Sequence, residues 1–195
     1  YIRYYLASKL SPSIDDIDLN YEDFQQKVNS DLVGKFVNIA SRSAGFLKKN
    51  HNRIGNDIDL EIYEKFISSK DEITNLFADL EYSKAIKEIM KLADSANAYV
   101  DENKPWILAK DDKNIEEVIK ISSTTINLFR IINFYLKIVI PDTCSKGEIF
   151  LNESINSIND IDAPLTNHKI NSFSPILKRL EDENLEALIK RGSNG

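Results

Sequence analysis

Between residues 31 and 50 (DLVGKFVNIASRSAGFLKKN) apolar side chains return with a helical period. Leu32, Val33, Phe36, Val37, Ala40, Ala44 and Leu47 share one broad stripe, and Gly34, Asn38, Ser41, Arg42 and Gly45 fall on the opposite side. The same periodicity predicts helices elsewhere. Residues 1–10 read as a helix ended by Ser11 and Pro12, and residues 13–24 as a short extended segment leading into a capped turn. Asn20 followed by Asp23 has the form of a helix start, and Asn29 or Ser30 is placed to cap the helix at 31–50. A shorter helix is expected over 57–69. One long helix is expected over 72–101, with Ile73, Leu76, Phe77, Leu80, Ile86, Ile89, Met90, Ala93 and Ala96 in phase. Pro105 should stop it, because proline lacks the amide proton and biases the residue before it away from the helical region. Residues 115–140 form the most apolar helix and the expected centre of the fold, with Pro141 ending it. A short helix through 148–151, an irregular polar stretch to about residue 172 and an amphipathic helix over 182–190 complete the reading. With no strand-rich region and no internal repeat, the pattern predicts an all-α bundle of four or five principal helices.

Composition narrows the classes. A chain of 195 residues can bury one sizeable core, and 42% hydrophobic with 29% charged residues is the balance of a folded protein. No apolar run approaches a membrane span and no signal segment opens the chain, so a cytosolic protein is expected, with no membrane partner. One cysteine, Cys144, excludes a disulfide framework within the chain, and His51 and His168 have no ligand-spaced partner; no metal is expected. The net charge of −6 opposes indiscriminate binding to nucleic acid, but charge is unevenly spread. Residues 31–53 hold five basic side chains against one acid, and residues 54–83 hold eight acids against two lysines.

Two features carry candidate chemistry. Asn38 and Arg42 stand one turn apart, flanked by glycines that leave backbone bare, and an amide beside a guanidinium can read a base edge and hold a phosphate or base plane. The same residues are also ordinary occupants of a solvated helix side. Trp106, the single tryptophan, follows Pro105 in YVDENKPWILAK; a presented indole can stack on a base, whereas a packed one contributes to a core. The acids Asp15, Asp16, Asp18, Glu22 and Asp23 lack a histidine or an apolar setting, so solvation or capping accounts for them better than acid–base catalysis. No phosphate loop and no nucleophile–base pair occurs, Cys144 reads as a packed thiol, and no catalytic residue is expected. A helical module that docks another protein through its acidic helix or the 182–190 helix is the competing class.

The run RYYLASKLSPSIDDIDLNYEDFQQKVNSDLVGKFVNIASRSAGF at residues 3–46 resembles the junction of methionyl-tRNA synthetase where the catalytic half passes into the anticodon-binding helices. DENKPWILAK at 101–110 resembles that family's PW motif, INLFRIINFYLKIVIP at 126–141 its following central helix, and PLTNHKINSFSPILKRLE at 164–181 its fold-back segment. The resemblance implies a stem-contact and junction segment at residues 1–28, near the inner side of the tRNA L, an anticodon-binding bundle at 29–163 and a tail at 164–195 that returns toward the catalytic domain. It implies that Asn38, Arg42 and Trp106 meet the CAU anticodon of methionine tRNA, with Asp101 as a supporting acceptor and Pro105 shaping the turn. Lys35, Lys49 and Lys104 are candidate RNA backbone contacts. A related class I synthetase for another amino acid is the nearer alternative.

Departures from the family pattern are equally specific. Ser43 follows Arg42 where relatives often carry asparagine, and Lys104 replaces a small residue before the PW pair. The HIGH and KMSKS signatures and the zinc-bearing insertion are absent, so the chain reads as a non-catalytic piece of a longer enzyme. No cofactor is expected in this piece; the resemblance assigns ATP with magnesium and methionine to the whole enzyme.

Overall fold

The computed structural model describes residues 1–13 and 19–183. Its helices are α1 (Ile2–Lys9), α2 (Tyr21–Val28), α3 (Asn38–Leu47), α4 (Leu60–Ile67), α5 (Lys70–Ala78), α6 (Tyr82–Asn103), α7 (Pro105–Leu108), α8 (Ile115–Leu136) and α9 (Pro141–Leu151). No strand occurs among the described residues, and an isolated bridge joins Arg53 to Lys169. The fold is all-α, as the periodicity predicts. The extended segment expected before Asn20 falls at residues 14–18, and the helix expected over 182–190 falls beyond residue 183; both lie largely outside the described residues.

α8 is the centre. Ile126, Leu128, Phe129, Ile131, Ile132 and Leu136 are fully buried, and α3 and α6 both pack on it. Aromatic contacts run outward from it. Phe129 stacks on Phe36 at 4.9 Å and meets Phe150 edge-on at 6.0 Å, and Phe150 meets Phe173 at 5.2 Å. Aromatic pairs at these separations add to the area they bury. Polar residues in the middle of α8 are buried too, and several of them anchor loops. Ser123 Oγ accepts from the Gly55 amide at 2.8 Å, and Thr124 Oγ1 accepts from the Asp59 amide at 3.0 Å. Asn127 exchanges two bonds with the Leu165 backbone, at 2.7 and 3.0 Å. Arg130 grips Glu153 through Nε and Nη2, both at 2.7 Å, and also donates to the carbonyls of Ala163 and Asp160. Paired in this way, buried polar groups avoid the penalty of forfeited hydration.

Four local expectations are corrected. The chain does not break before residue 31: α2 continues through a nine-residue π-helical segment, Asn29–Val37, into α3 and a 3₁₀ turn, Lys48–Asn50. Asn29 is helical, and its side chain caps nothing there. It instead exchanges bonds of 2.9 and 2.8 Å with the backbone of Leu180, tying the tail onto the rod. The single helix expected over 72–101 is two, because Leu80 takes a left-handed conformation (φ 62°) between α5 and α6. Of the two prolines read as stops, Pro105 follows the end of α6 and opens α7, whereas α8 already ends at Leu136, short of the expected residue 140, and Pro141 only opens α9; each proline sits in the first turn, where a missing N–H costs nothing. α9 is accordingly longer than the four residues expected there. The start at Asn20 is as predicted, its side chain accepting from the Asp23 amide at 2.9 Å.

Candidate nucleic-acid interface

Along the π-helical segment and α3 the stripe is buried as its periodicity requires: Leu32, Phe36, Val37, Ala40, Ala44 and Leu47 are interior, while Val33 is only half-buried. Gly34, Ser41 and Gly45 are exposed on the other side, and Asn38 and Arg42 lie half-buried beside them. What the stripe does not show is the neighbour of that face. α6 lies against it, and three contacts join the two helices at a constant separation of 59 residues. Lys35 Nζ pairs with Asp94 at 2.9 Å, Asn38 Nδ2 donates to Asn97 Oδ1 at 3.0 Å, and Arg42 Nη2 pairs with Asp101 at 2.5 Å. A constant offset means that the helices run in the same direction, so the contacts form successive rungs along one seam.

The amide orientations follow from the bonding. Asn97 Nδ2 donates to the carbonyls of Ala93 at 2.9 Å and Lys35 at 3.1 Å, so its oxygen faces Asn38. That commits the Asn38 amide nitrogen and leaves its oxygen as the acceptor able to meet a donor on a base.

At the C-terminal end of α6 the chain turns sharply. Lys104 is left-handed (φ 47°, ψ 56°), and Pro105, buried, starts the single turn of α7. This reversal sets Trp106 back over the seam. Its indole is 41% exposed, which answers whether it is core or surface, and the Arg42 guanidinium carbon lies 5.2 Å from the ring centroid. Arg42 is thereby held between a carboxylate and an aromatic face, a geometry in which a guanidinium keeps its plane and charge while giving up little further freedom. Its hydrogen bond holds the Asp101 carboxyl below the usual range. Ile107 beside the indole is half exposed, so the end of the seam presents a ring, an aliphatic side chain and a cation together.

Asn38, Arg42, Asp101, Pro105 and Trp106 therefore converge although the chain separates them. Lys35 belongs to the same seam, one turn before Asn38. Lys49 lies further on, 3.4 Å from Asp112, and Lys104 is exposed at the turn into α7 with no ion pair among the described residues. Ser43 is fully buried, and its hydroxyl has no hydrogen-bond partner among the described residues, so it does not face this surface. Asp94 and Asn97 are partners that the sequence pattern alone does not single out. Their signal is the spacing 94, 97, 101 on α6, which matches 35, 38, 42 on the rod.

No group of three or more metal-ligating side chains gathers among the described residues. The Cys144 thiol is buried, and burial pushes its pKa up, which suits a packed thiol. Of the acids near the junction, Asp23 is engaged by Lys9 at 2.8 Å and by the Tyr5 hydroxyl at 2.9 Å. These contacts hold its carboxyl below the ordinary range, opposite to the shift a general acid needs. Asp15, Asp16 and Asp18 lie outside the described residues. No helix among the described residues is long and apolar enough to cross a membrane.

Comparison with known proteins gives a consistent picture. The family model described as tRNA synthetases class I (M) matches residues 1–44. A methionine–tRNA ligase from Dichelobacter nodosus is 45% identical over 192 residues, which is 97% of this chain and 28% of that protein. Methionyl-tRNA synthetase from Mycobacterium tuberculosis in its free state superposes with a TM-score of 0.84 at 21% identity, over 92% of this chain and 38% of that one. The same enzyme with methionyl-adenylate gives 0.82 over 91% and 37%. The chain thus spans little more than a quarter of the curated relative's length, and over that span it is similar to one segment of a methionine–tRNA ligase.

Proposed function

We propose that this chain is the anticodon-binding part of a methionine–tRNA ligase and recognises the CAU anticodon of methionine tRNA. The observation that carries the reading is the Arg42 guanidinium lying over a half-exposed Trp106 indole, 5.2 Å away, beside Asn38 and Asp101 on one seam. Single-stranded loops are read by splaying their bases onto aromatic or guanidinium planes and bonding their edges. Trp106 supplies the plane, Arg42 the charge and a second plane, and Asn38 the directional acceptor. A wrong base leaves such groups unpaired, at about 1–3 kcal/mol for each. Residues 1–28 form the junction with the catalytic domain, 29–163 the recognition bundle, and 164–195 the segment that returns toward that domain. Attachment of methionine, with ATP, magnesium and any zinc of the insertion, belongs to the remainder of the enzyme, working in the cytoplasm.

The test is charging kinetics of the full-length enzyme carrying Trp106→Ala or Arg42→Ala. Removing one stacked base at about 1–3 kcal/mol lowers kcat/KM for methionine tRNA by about 5- to 150-fold. The helix content should stay unchanged. Wild-type charging in both variants would refute the proposal.

A further inference from the structure

The middle rung of the seam is built differently from the two that flank it. Lys35–Asp94 and Arg42–Asp101 are ion pairs, whereas Asn38 and Asn97 join two neutral amides, and an amide has a direction. Asn97, half-buried on α6, spends both of its side-chain N–H groups on carbonyls, those of Ala93 at 2.9 Å and Lys35 at 3.1 Å. Carbonyls only accept, so this amide cannot turn over without losing both bonds and setting oxygen against oxygen. Its own oxygen then takes Asn38 Nδ2 at 3.0 Å. The Asn38 backbone N–H also goes to the Lys35 carbonyl, which closes a ring of Lys35, Asn97 and Asn38.

That ring leaves Asn38 Oδ1 over. No side chain among the described residues donates to it, and it stands one helical turn from Arg42, whose guanidinium carbon lies 5.2 Å from the Trp106 ring centroid. A free asparagine reads either a donor or an acceptor, because a half turn about its last side-chain bond exchanges oxygen for nitrogen. Asn38 has lost that choice, and what it offers is an acceptor alone. Cytosine carries an amino donor at its 4-position, and uracil a keto oxygen at the same place. An acceptor bonds the first and repels the second.

We propose that Asn97 is the positioning residue behind this preference: it locks the Asn38 amide so that the seam takes a wobble pyrimidine bearing a 4-amino group over one bearing a 4-keto group. The assignment rests on the anticodon reading and adds to it a residue that itself touches no RNA. The ion pairs one turn to either side, Lys35–Asp94 and Arg42–Asp101, hold the rod and α6 in register, so the contact between the helices does not depend on Asn97.

The experiment measures binding of the full-length enzyme to two RNA stem-loops that differ only at the wobble base, CAU and UAU. It compares wild type, Asn97→Ala and the double variant Asn38→Asp/Asn97→Ala. Wild type should bind CAU at least about tenfold more tightly than UAU. In Asn97→Ala the Asn38 amide can turn and give uracil its N–H, so the ratio should fall to about threefold or less, chiefly by tighter binding of UAU. The double variant should regain the ratio, because a carboxylate accepts whichever way it turns, although its added charge weakens both RNAs. A wild-type ratio in Asn97→Ala, or equal weakening of both RNAs there, would overturn the lock and leave the anticodon reading standing, since wild type still prefers CAU. A double variant no more selective than Asn97→Ala would overturn it too. A wild type that binds neither RNA, or both alike, would remove the anticodon reading and the lock with it.

Discussion

Glu153→Ala should destabilise the bundle severely. The Arg130 side chain is 2% exposed, and two of its nitrogens rest 2.7 Å from the Glu153 carboxylate. Without that carboxylate the guanidinium keeps only the carbonyls of Ala163 and Asp160, and a buried cation is left uncompensated. Breaking a buried pair from one side costs about 3–5 kcal/mol. Glu153 retains 18% exposure, so water can reach the vacated side, and the lower end, about 3 kcal/mol, is expected. With a urea m-value of about 2 kcal/mol/M, the midpoint should drop by about 1.5 M, as followed by far-ultraviolet circular dichroism. Arg130→Met with Glu153→Leu should regain most of that stability, because the pair is weak in net terms while its single halves are costly. A single variant within about 1 kcal/mol of wild type, or a double variant as unstable as Glu153→Ala, would refute the reasoning. The residue matters to function only at a distance, since α8 is the platform on which α3 and α6 meet.

Two further expectations concern the core. A Cβ at Gly147 would fall 2.8 Å from Asn133 Cγ and closer still to its Oδ1, while Asn133 is fully buried and donates to the Cys144 carbonyl at 3.1 Å. Gly147→Ala should therefore cost about 1–3 kcal/mol by overpacking, seen as a lowered Tm and relieved by a second change, Asn133→Ala. Alkaline pH should also destabilise the fold. Burial raises the Cys144 thiol above its ordinary 9.0 and pushes Tyr63 and Tyr99 from 10.0 up to about 12. Above the unfolded values the unfolded state gives up these protons while the folded state keeps them. Stability then falls as pH rises from about 9, by up to about 1.4 kcal/mol per pH unit for each group. Urea midpoints measured at pH values from about 8 to about 11 check this, and a flat profile would contradict it.

The central helix was legible because almost every residue from Val118 to Leu136 is buried, and its apolar residues cluster densely enough to mark it as the interior helix. Its buried polar residues were not, since Asn127 and Arg130 find their partners across loops 23–38 residues away. The break at Leu80 was hidden because a leucine carries no local mark of a left-handed turn. Pro105 and Pro141 were read as ends, although a proline is also suited to open a helix, and Pro141 does only that, since α8 ends at Leu136. At the seam, Asn38 and Arg42 stood out because both lie within one turn of one helix. Asp101 was expected beside them from the resemblance, whereas Asp94 and Asn97 come from another helix, and only the parallel packing of α6 reveals them. Trp106 was identified by its rarity and its neighbour Pro105. Its exposure depended on the reversal at Lys104, a conformation no pattern of apolar residues encodes.

Trp106 is the only tryptophan, so its fluorescence reports on the seam without a label. The most direct test is therefore titration of the protein with an RNA stem-loop carrying CAU, and with the same RNA altered at its wobble base. Stacking on the indole predicts saturable quenching by the CAU loop and at least about tenfold weaker binding of the altered loop, which is the ratio for about 1.4 kcal/mol. Emission that stays constant while the RNA is bound, or equal affinity for both loops, would contradict the account.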